Sequence, residues 1–128
     1  MLSYAALQRR FGLGRLLAGG AILLAVRAAA VVATDDPFLL ALTMAIHGAA
    51  FALLIVGGVL YAARLAPPGN AATVQGLLVA IVFGLAQVVG PGLGGQLAAT
   101  YGIPATFAAA GAGSAVAAAV LAYVTTRR

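Results

Sequence analysis

No cysteine occurs in the sequence, so disulfides and thiolate metal sites are excluded at the outset. Charge is almost as scarce: only 7% of the 128 residues are charged, while 64% are hydrophobic. A soluble domain carries roughly a quarter charged residues and needs them to cover its core with polar surface. Seven Arg and two Asp cannot cover one. The carboxylates are the adjacent Asp35 and Asp36, and His47 is the single histidine. A hydrolase or metal enzyme has nothing to be built from, and no cofactor is implied. A nucleic-acid partner is excluded as well, despite the net charge of +5, because the Arg are scattered singly or in pairs and build no basic face.

What the chain has instead is long apolar runs. Crossing about 30 Å of hydrocarbon takes roughly 20 helical residues. Runs of about that length occupy residues 15–33, 38–63, 72–97 and 106–124. The composition and these runs imply an all-α membrane protein, a single membrane domain over residues 1–128 with four transmembrane helices and the lipid bilayer as its solvent. The breaks have the chemistry of turns. Thr34-Asp35-Asp36-Pro37 supplies capping oxygens followed by Pro at the first helical position. Two prolines in Arg64-Leu65-Ala66-Pro67-Pro68-Gly69-Asn70 stop a helix, and Tyr101-Gly102-Ile103-Pro104 closes the third span the same way. Loops this short make consecutive spans antiparallel neighbours.

Met1–Gln8 is too short to span. Arg9-Arg10-Phe11 before an apolar run, with Ala28-Ala29-Ala30 beyond it, has the outline of a twin-arginine export signal. Against that reading, Phe11 follows the pair directly, Arg27 interrupts the run and three further spans follow. Orientation comes from the Arg. Putting both termini and the 64–71 loop on one side gathers Arg9, Arg10, Arg15, Arg64, Arg127 and Arg128 there, opposite Asp35 and Asp36. The positive-inside rule then places both termini in the cytoplasm of a cell inner or plasma membrane.

Gly90-Pro91-Gly92-Leu93-Gly94-Gly95 has the spacing of a dinucleotide-binding loop, but it lies inside an apolar span and no Asp or Glu follows it. It is better read as a packing and bending element. Gly90 and Gly94 share a helix face that admits a second helix, and Pro91 favours a kink. Ala109 and Gly113 repeat the small-residue theme in the fourth span, and Gly76 and Gly84 are further packing or hinge candidates. Ionisable groups within a span are costly and face protein or water, which singles out Arg27 and His47. Each lies roughly 12–15 Å from the same membrane face, so they could meet near the midplane of an antiparallel pair and line a pathway for a polar solute. Gln87, deep in the third span, joins them as a pathway candidate; Gln75 and Gln96 are weaker. The structural alternatives are that Arg27 snorkels toward the outer interface or Asp35 and that His47 and Gln87 are interhelical hydrogen-bonders.

Several landmarks resemble the last four helices of a major facilitator superfamily transporter. Arg9-Arg10-Phe11-Gly12-Leu13-Gly14-Arg15 is similar to the loop entering helix nine, and His47-Gly48-Ala49-Ala50-Phe51 to the His-Gly stretch of helix ten. Arg64-Leu65-Ala66-Pro67-Pro68 with Thr73-Val74-Gln75-Gly76 resembles the start of helix eleven in the nucleoside and oligosaccharide:proton symporter branch. Lactose permease-like symporters also carry an Arg in helix nine and a His twenty positions later, as Arg27 and His47 stand here. Position 50, where those proteins place a proton-carrying Glu, is Ala50, so that proton route does not carry over. Asn70-Ala71-Ala72 likewise stands where an Arg is usual. The resemblance implies part of a proton-coupled symporter of a small-molecule solute. Such transporters have twelve helices, so it also implies a fragment without independent transport, whose small-residue faces meet the missing transporter helices. Two other readings of the residues stand beside it. One is a stand-alone four-helix transporter or channel acting as an oligomer, although a small multidrug exporter's Glu and a fluoride channel's Asn and Thr-Ser tracts are absent. The other is a non-transporting subunit held to another membrane protein.

Overall fold

The computed structural model describes residues 2–126, and these are all-helical apart from the connections. The elements are α1 (Leu2–Phe11), α2 (Leu13–Ala33), α3 (Pro37–Leu65), α4 (Ala71–Val79), a π-helical segment (Ala80–Leu85), α5 (Ala86–Tyr101) and α6 (Ile103–Thr126). Because α4, the π segment and α5 run on without a break, the helices among the described residues that are long and apolar enough to cross a membrane number four: α2, α3, the composite third span and α6. In hydrocarbon every backbone N–H and C=O must find its partner within the protein, which a helix provides locally. Arg127 and Arg128, counted above among the orienting charges, lie outside the described residues.

The breaks follow local chemistry. The Asp36 carboxylate caps α3 by accepting from the Phe38 and Leu39 N–H groups at 2.8 and 3.2 Å. Pro37 needs no partner at the first helical position. A residue preceding Pro is driven to extended backbone, and Asp36 (ψ 119°) and Ala66 (ψ 135°) both are. Pro37 therefore opens α3 and Pro67 ends it. The turn that follows has the bond and residues of a type II turn, with Asn70 N–H donating to the Pro67 carbonyl at 3.0 Å and Gly69 at φ 84°.

The third and fourth spans meet closer together than the apolar runs imply. α5 continues to Tyr101, α6 starts at Ile103, and Gly102 alone reverses the chain at φ 86°, ψ 167°. Only glycine readily occupies that region, and Pro104 is tolerated in the first turn of α6, where its N–H would have no acceptor. Gly12 performs the same reversal between α1 and α2 at φ 79°, ψ 153°. The short N-terminal stretch is thus helical and folds back: the Tyr4 hydroxyl donates to the Leu53 carbonyl of α3 at 3.5 Å. Burial pushes the Tyr4 phenol above its ordinary pKa.

α2 is the hub, packing along both α3 and α6, while the third span meets α3 through α4 and α6 through α5. Seven α2 residues are buried, against three in α3 and none in α4, the π segment or α5, so the third span is the peripheral one. Glycines set these approaches. A Cβ on Gly20 would lie 2.9 Å from Leu54 Cγ and 3.2 Å from the Ala50 carbonyl oxygen, and one on Gly111 would lie 3.0 Å from Ala28 Cβ. Gly57 sits under Tyr4 and Leu17, and Gly14 under Thr125. The small residues singled out from sequence behave differently: a Cβ on Gly76, Gly84, Gly90 or Gly113 would meet nothing within 4 Å, and one on Gly94 only Thr106 Cγ2 at 3.8 Å. Gly76, Gly84, Gly90 and Gly113 line the outside of this four-span unit, while Gly94 lies at the seam between α5 and α6. α5 also remains helical through Pro91, and the departure from α-helical geometry falls upstream, at Ala80–Leu85 around Gly84.

Gly20→Val will lower unfolding stability in detergent micelles by about 1–3 kcal/mol, the usual range for overpacking a close contact. Gly113→Ala will leave it unchanged or slightly raised, as expected of a helical glycine in open space. Helical circular dichroism followed through a denaturant titration separates the two.

Candidate functional site

The pathway candidates Arg27, His47 and Gln87 all stand within the spans, and the fold sets Arg27 apart from the other two. Arg27 is on α2, half-buried, with its guanidinium carbon 5.7 Å from the centroid of the Phe107 ring of α6. Its Nε is buried and has no hydrogen-bond partner among the described residues. Cation–π attraction offsets part of the cost of holding a guanidinium away from water, while the unpaired N–H remains a donor awaiting an acceptor. Asp36 is already engaged as the cap of α3.

The contacts of Gly20 with Ala50 and of Gly57 with Leu17 put α2 and α3 in antiparallel register, and that register carries Arg27 to the level of Thr43 to His47. Equal depth does not bring the two groups together. Arg27 is turned to α6, whereas the His47 ring lies 6.0 Å from Phe51, its plane tilted by 32°, on the side of α3 nearer the third span. The helices place the two on different faces because α2 is gripped from two directions. Phe51 in turn meets Phe83 of the π segment edge-on, centroids 6.4 Å apart and planes 75° apart. Gln87 lies one turn beyond Phe83 on the same helix and is exposed, as His47 is.

Open, almost wholly apolar cavities flank these residues. One of about 460 Å³ lies between α2 and α6, lined by Ala25, Ala29, Val32 and Phe107 among others. Another of about 430 Å³ lies toward the Arg64 end and draws on every span, through Leu17, Tyr61, Leu78 and Leu121. Tyr61 is the polar side chain lining the second.

The sequence matches the MFS_1 like family over residues 1–109, a stretch that includes Arg27, His47, Gln87 and Phe107. The chain belongs to that family. No curated protein and no solved structure matches it. As a member of the MFS_1 like family with four membrane-crossing helices, it is an integral membrane protein related to transporters rather than to enzymes.

The aromatic partners were not singled out from sequence. Phe51 and Phe83 had a readable local signal, standing four residues after His47 and four before Gln87, on the same helix faces. Phe107 had none, because its link to Arg27 joins helices distant in sequence. Phe107→Leu will lower stability by about 1 kcal/mol through loss of the cation–π contact. The loss will shrink toward zero in an Arg27→Met background, and a double-mutant cycle in detergent measures that coupling.

Proposed function

We propose that the chain is the C-terminal four-helix part of a proton-coupled solute symporter, with Arg27, His47 and Gln87 along its solute and proton pathway. The observation carrying this reading is Arg27: a guanidinium at span depth whose buried Nε has no partner among the described residues. A membrane protein retains so costly a group where it binds a solute or counter-charge. Family membership supports transport, and the resemblance of the 9–15 and 64–76 stretches to symporter loops supports the symporter branch. The third span favours missing helices beside this unit, since none of its most apolar window is buried. A second reading draws on that same span, namely a stand-alone four-helix protein that oligomerises through it.

Arginine counting supports both termini in the cytoplasm of the inner or plasma membrane. Because the chain is free of cysteine, a Cys introduced at Asn70 will react with an impermeant maleimide only from the cytoplasmic side, and one at Thr34 only from the opposite side. Reversed labelling would overturn the orientation.

Immunoblotting of source-cell membranes against the 106–124 segment tests the two readings. A band roughly three times the 12.6 kDa of this chain supports the twelve-helix symporter, and a band at 12.6 kDa supports the oligomer. In the native protein, Arg27→Ala and His47→Ala will each reduce solute uptake at least about tenfold at unchanged membrane abundance, as expected for groups in the pathway. Wild-type uptake in both variants would overturn the pathway assignment.

A further inference from the structure

The third span lies aslant its neighbours. Among the described residues, α4 packs against α3 and not against α6, whereas α5 packs against α6 and not against α3. Gly14, at the start of α2, sits under Thr125, so α6 ends on the same side of the membrane as α3 ends and α4 begins. A wedge therefore opens between α4 and α6 on that side, and it leads into the cavity of about 430 Å³. Val74, Leu77 and Ile81 of the third span line this cavity together with Leu121 of α6, Leu17 of α2 and Tyr61 of α3. The third span closes only part of it, since Leu77 and Ile81 remain 61% and 51% exposed.

A further transmembrane helix is too thick to enter this space. At a diameter of about 10–12 Å, one helical turn displaces roughly 400–600 Å³, as much as the whole cavity. An acyl chain is slender enough. Its entry brings little hydrophobic gain, because lipid tails and the apolar walls are alike. Choice among lipids then falls to the headgroup, and the rim carries charge of one sign. Arg9, Arg10, Arg15 and Arg64 are all exposed at this end, and none forms an ion pair or hydrogen bond with a described residue. The carboxylates Asp35 and Asp36 lie at the opposite end, before α3. Arg64 stands next to Leu65 and three residues beyond Tyr61, both of which line the cavity, and so belongs to the mouth of the wedge.

We infer that the wedge between α4 and α6 holds one acyl chain of an anionic phospholipid whose phosphate is drawn by Arg64. A guanidinium pairs with a phosphate through charge-assisted hydrogen bonds, and a headgroup with no cation of its own leaves that charge free to be neutralised. The site lies toward the opposite end of the spans from Arg27 and does not depend on the symporter reading.

The chain contains no tryptophan, so one introduced at Leu77 reports on the wedge alone. The test is fluorescence quenching of the full chain carrying Leu77→Trp, reconstituted in vesicles of equal parts dioleoylphosphatidylglycerol and dioleoylphosphatidylcholine, with one lipid or the other brominated in its chains. Brominated phosphatidylglycerol is expected to quench with about fivefold higher apparent affinity, the effect of one arginine on an anionic headgroup. Arg64→Gln will bring that ratio close to one. Val116→Trp, exposed on another face of α6 from Leu121, will show no preference, and Leu65→Trp at the mouth repeats the measurement should Leu77→Trp fail to reconstitute. Equal quenching by the two lipids in the wedge overturns the site. So does a preference that survives Arg64→Gln or that appears equally at Val116→Trp, which would mark general enrichment of anionic lipid around the arginines. Quenching by neither lipid would mean that protein covers the wedge and would overturn it as well.

Discussion

Where α2 passes α3 at Gly20, no side chain separates the two backbones, and Ala50, Leu53 and Leu54 close directly over the glycine. Lipid tails are as apolar as leucine, so helices in a membrane gain little from hiding hydrophobic surface from one another and associate through close van der Waals contact instead. The rest of the arrangement depends on that contact and its counterparts at Gly57, Gly111 and Gly14. Together they clamp α2 between α3 and α6 and set the register that brings Arg27 to the depth of Thr43 and His47. Loosening one seam would therefore disturb polar groups well away from it.

The same clamp separates the polar groups into two neighbourhoods. With α3 on one flank and α6 on another, α2 holds Arg27 over Phe107, and His47 is left on the side of α3 nearer the third span. A cation stabilised by an aromatic face and an imidazole beside two phenyl rings are chemically different stations.

The third span is set apart from its neighbours by its exposure. It touches α3 near its start and α6 near its end, carries the π segment between them, and buries no residue of its own. Its Gly90-Pro91-Gly92 stretch stays helical because Pro91 alone in it lacks an N–H, and the residues around it can still bond within the helix. Small residues on this span open outward, toward whatever lies beside the four-span unit.

The helices and most of their ends were legible in the sequence. Hydrocarbon forces each spanning segment to satisfy its own backbone, and caps and prolines act within a few residues, so Asp36-Pro37 and Pro67 mark the limits of α3 from local chemistry alone. Near Gly102 the helices run a few residues past the apolar runs, to Tyr101 and from Ile103, because a glycine in a region closed to other residues can turn the chain in a single step. Helix α1 was missed because its docking rests on Tyr4 reaching Leu53, a contact remote in sequence. By itself, then, the sequence determined that this is a membrane-spanning helical protein, where its chain turns, and that Arg27, His47 and Gln87 are its anomalous polar groups. Only the tertiary structure decided which glycines form seams, that Arg27 and His47 face apart, and that Phe51 and Phe83 join His47 to the third span. Those outcomes depend on how helices far apart in sequence cross, and helical periodicity in one segment carries no record of the face its neighbour will choose.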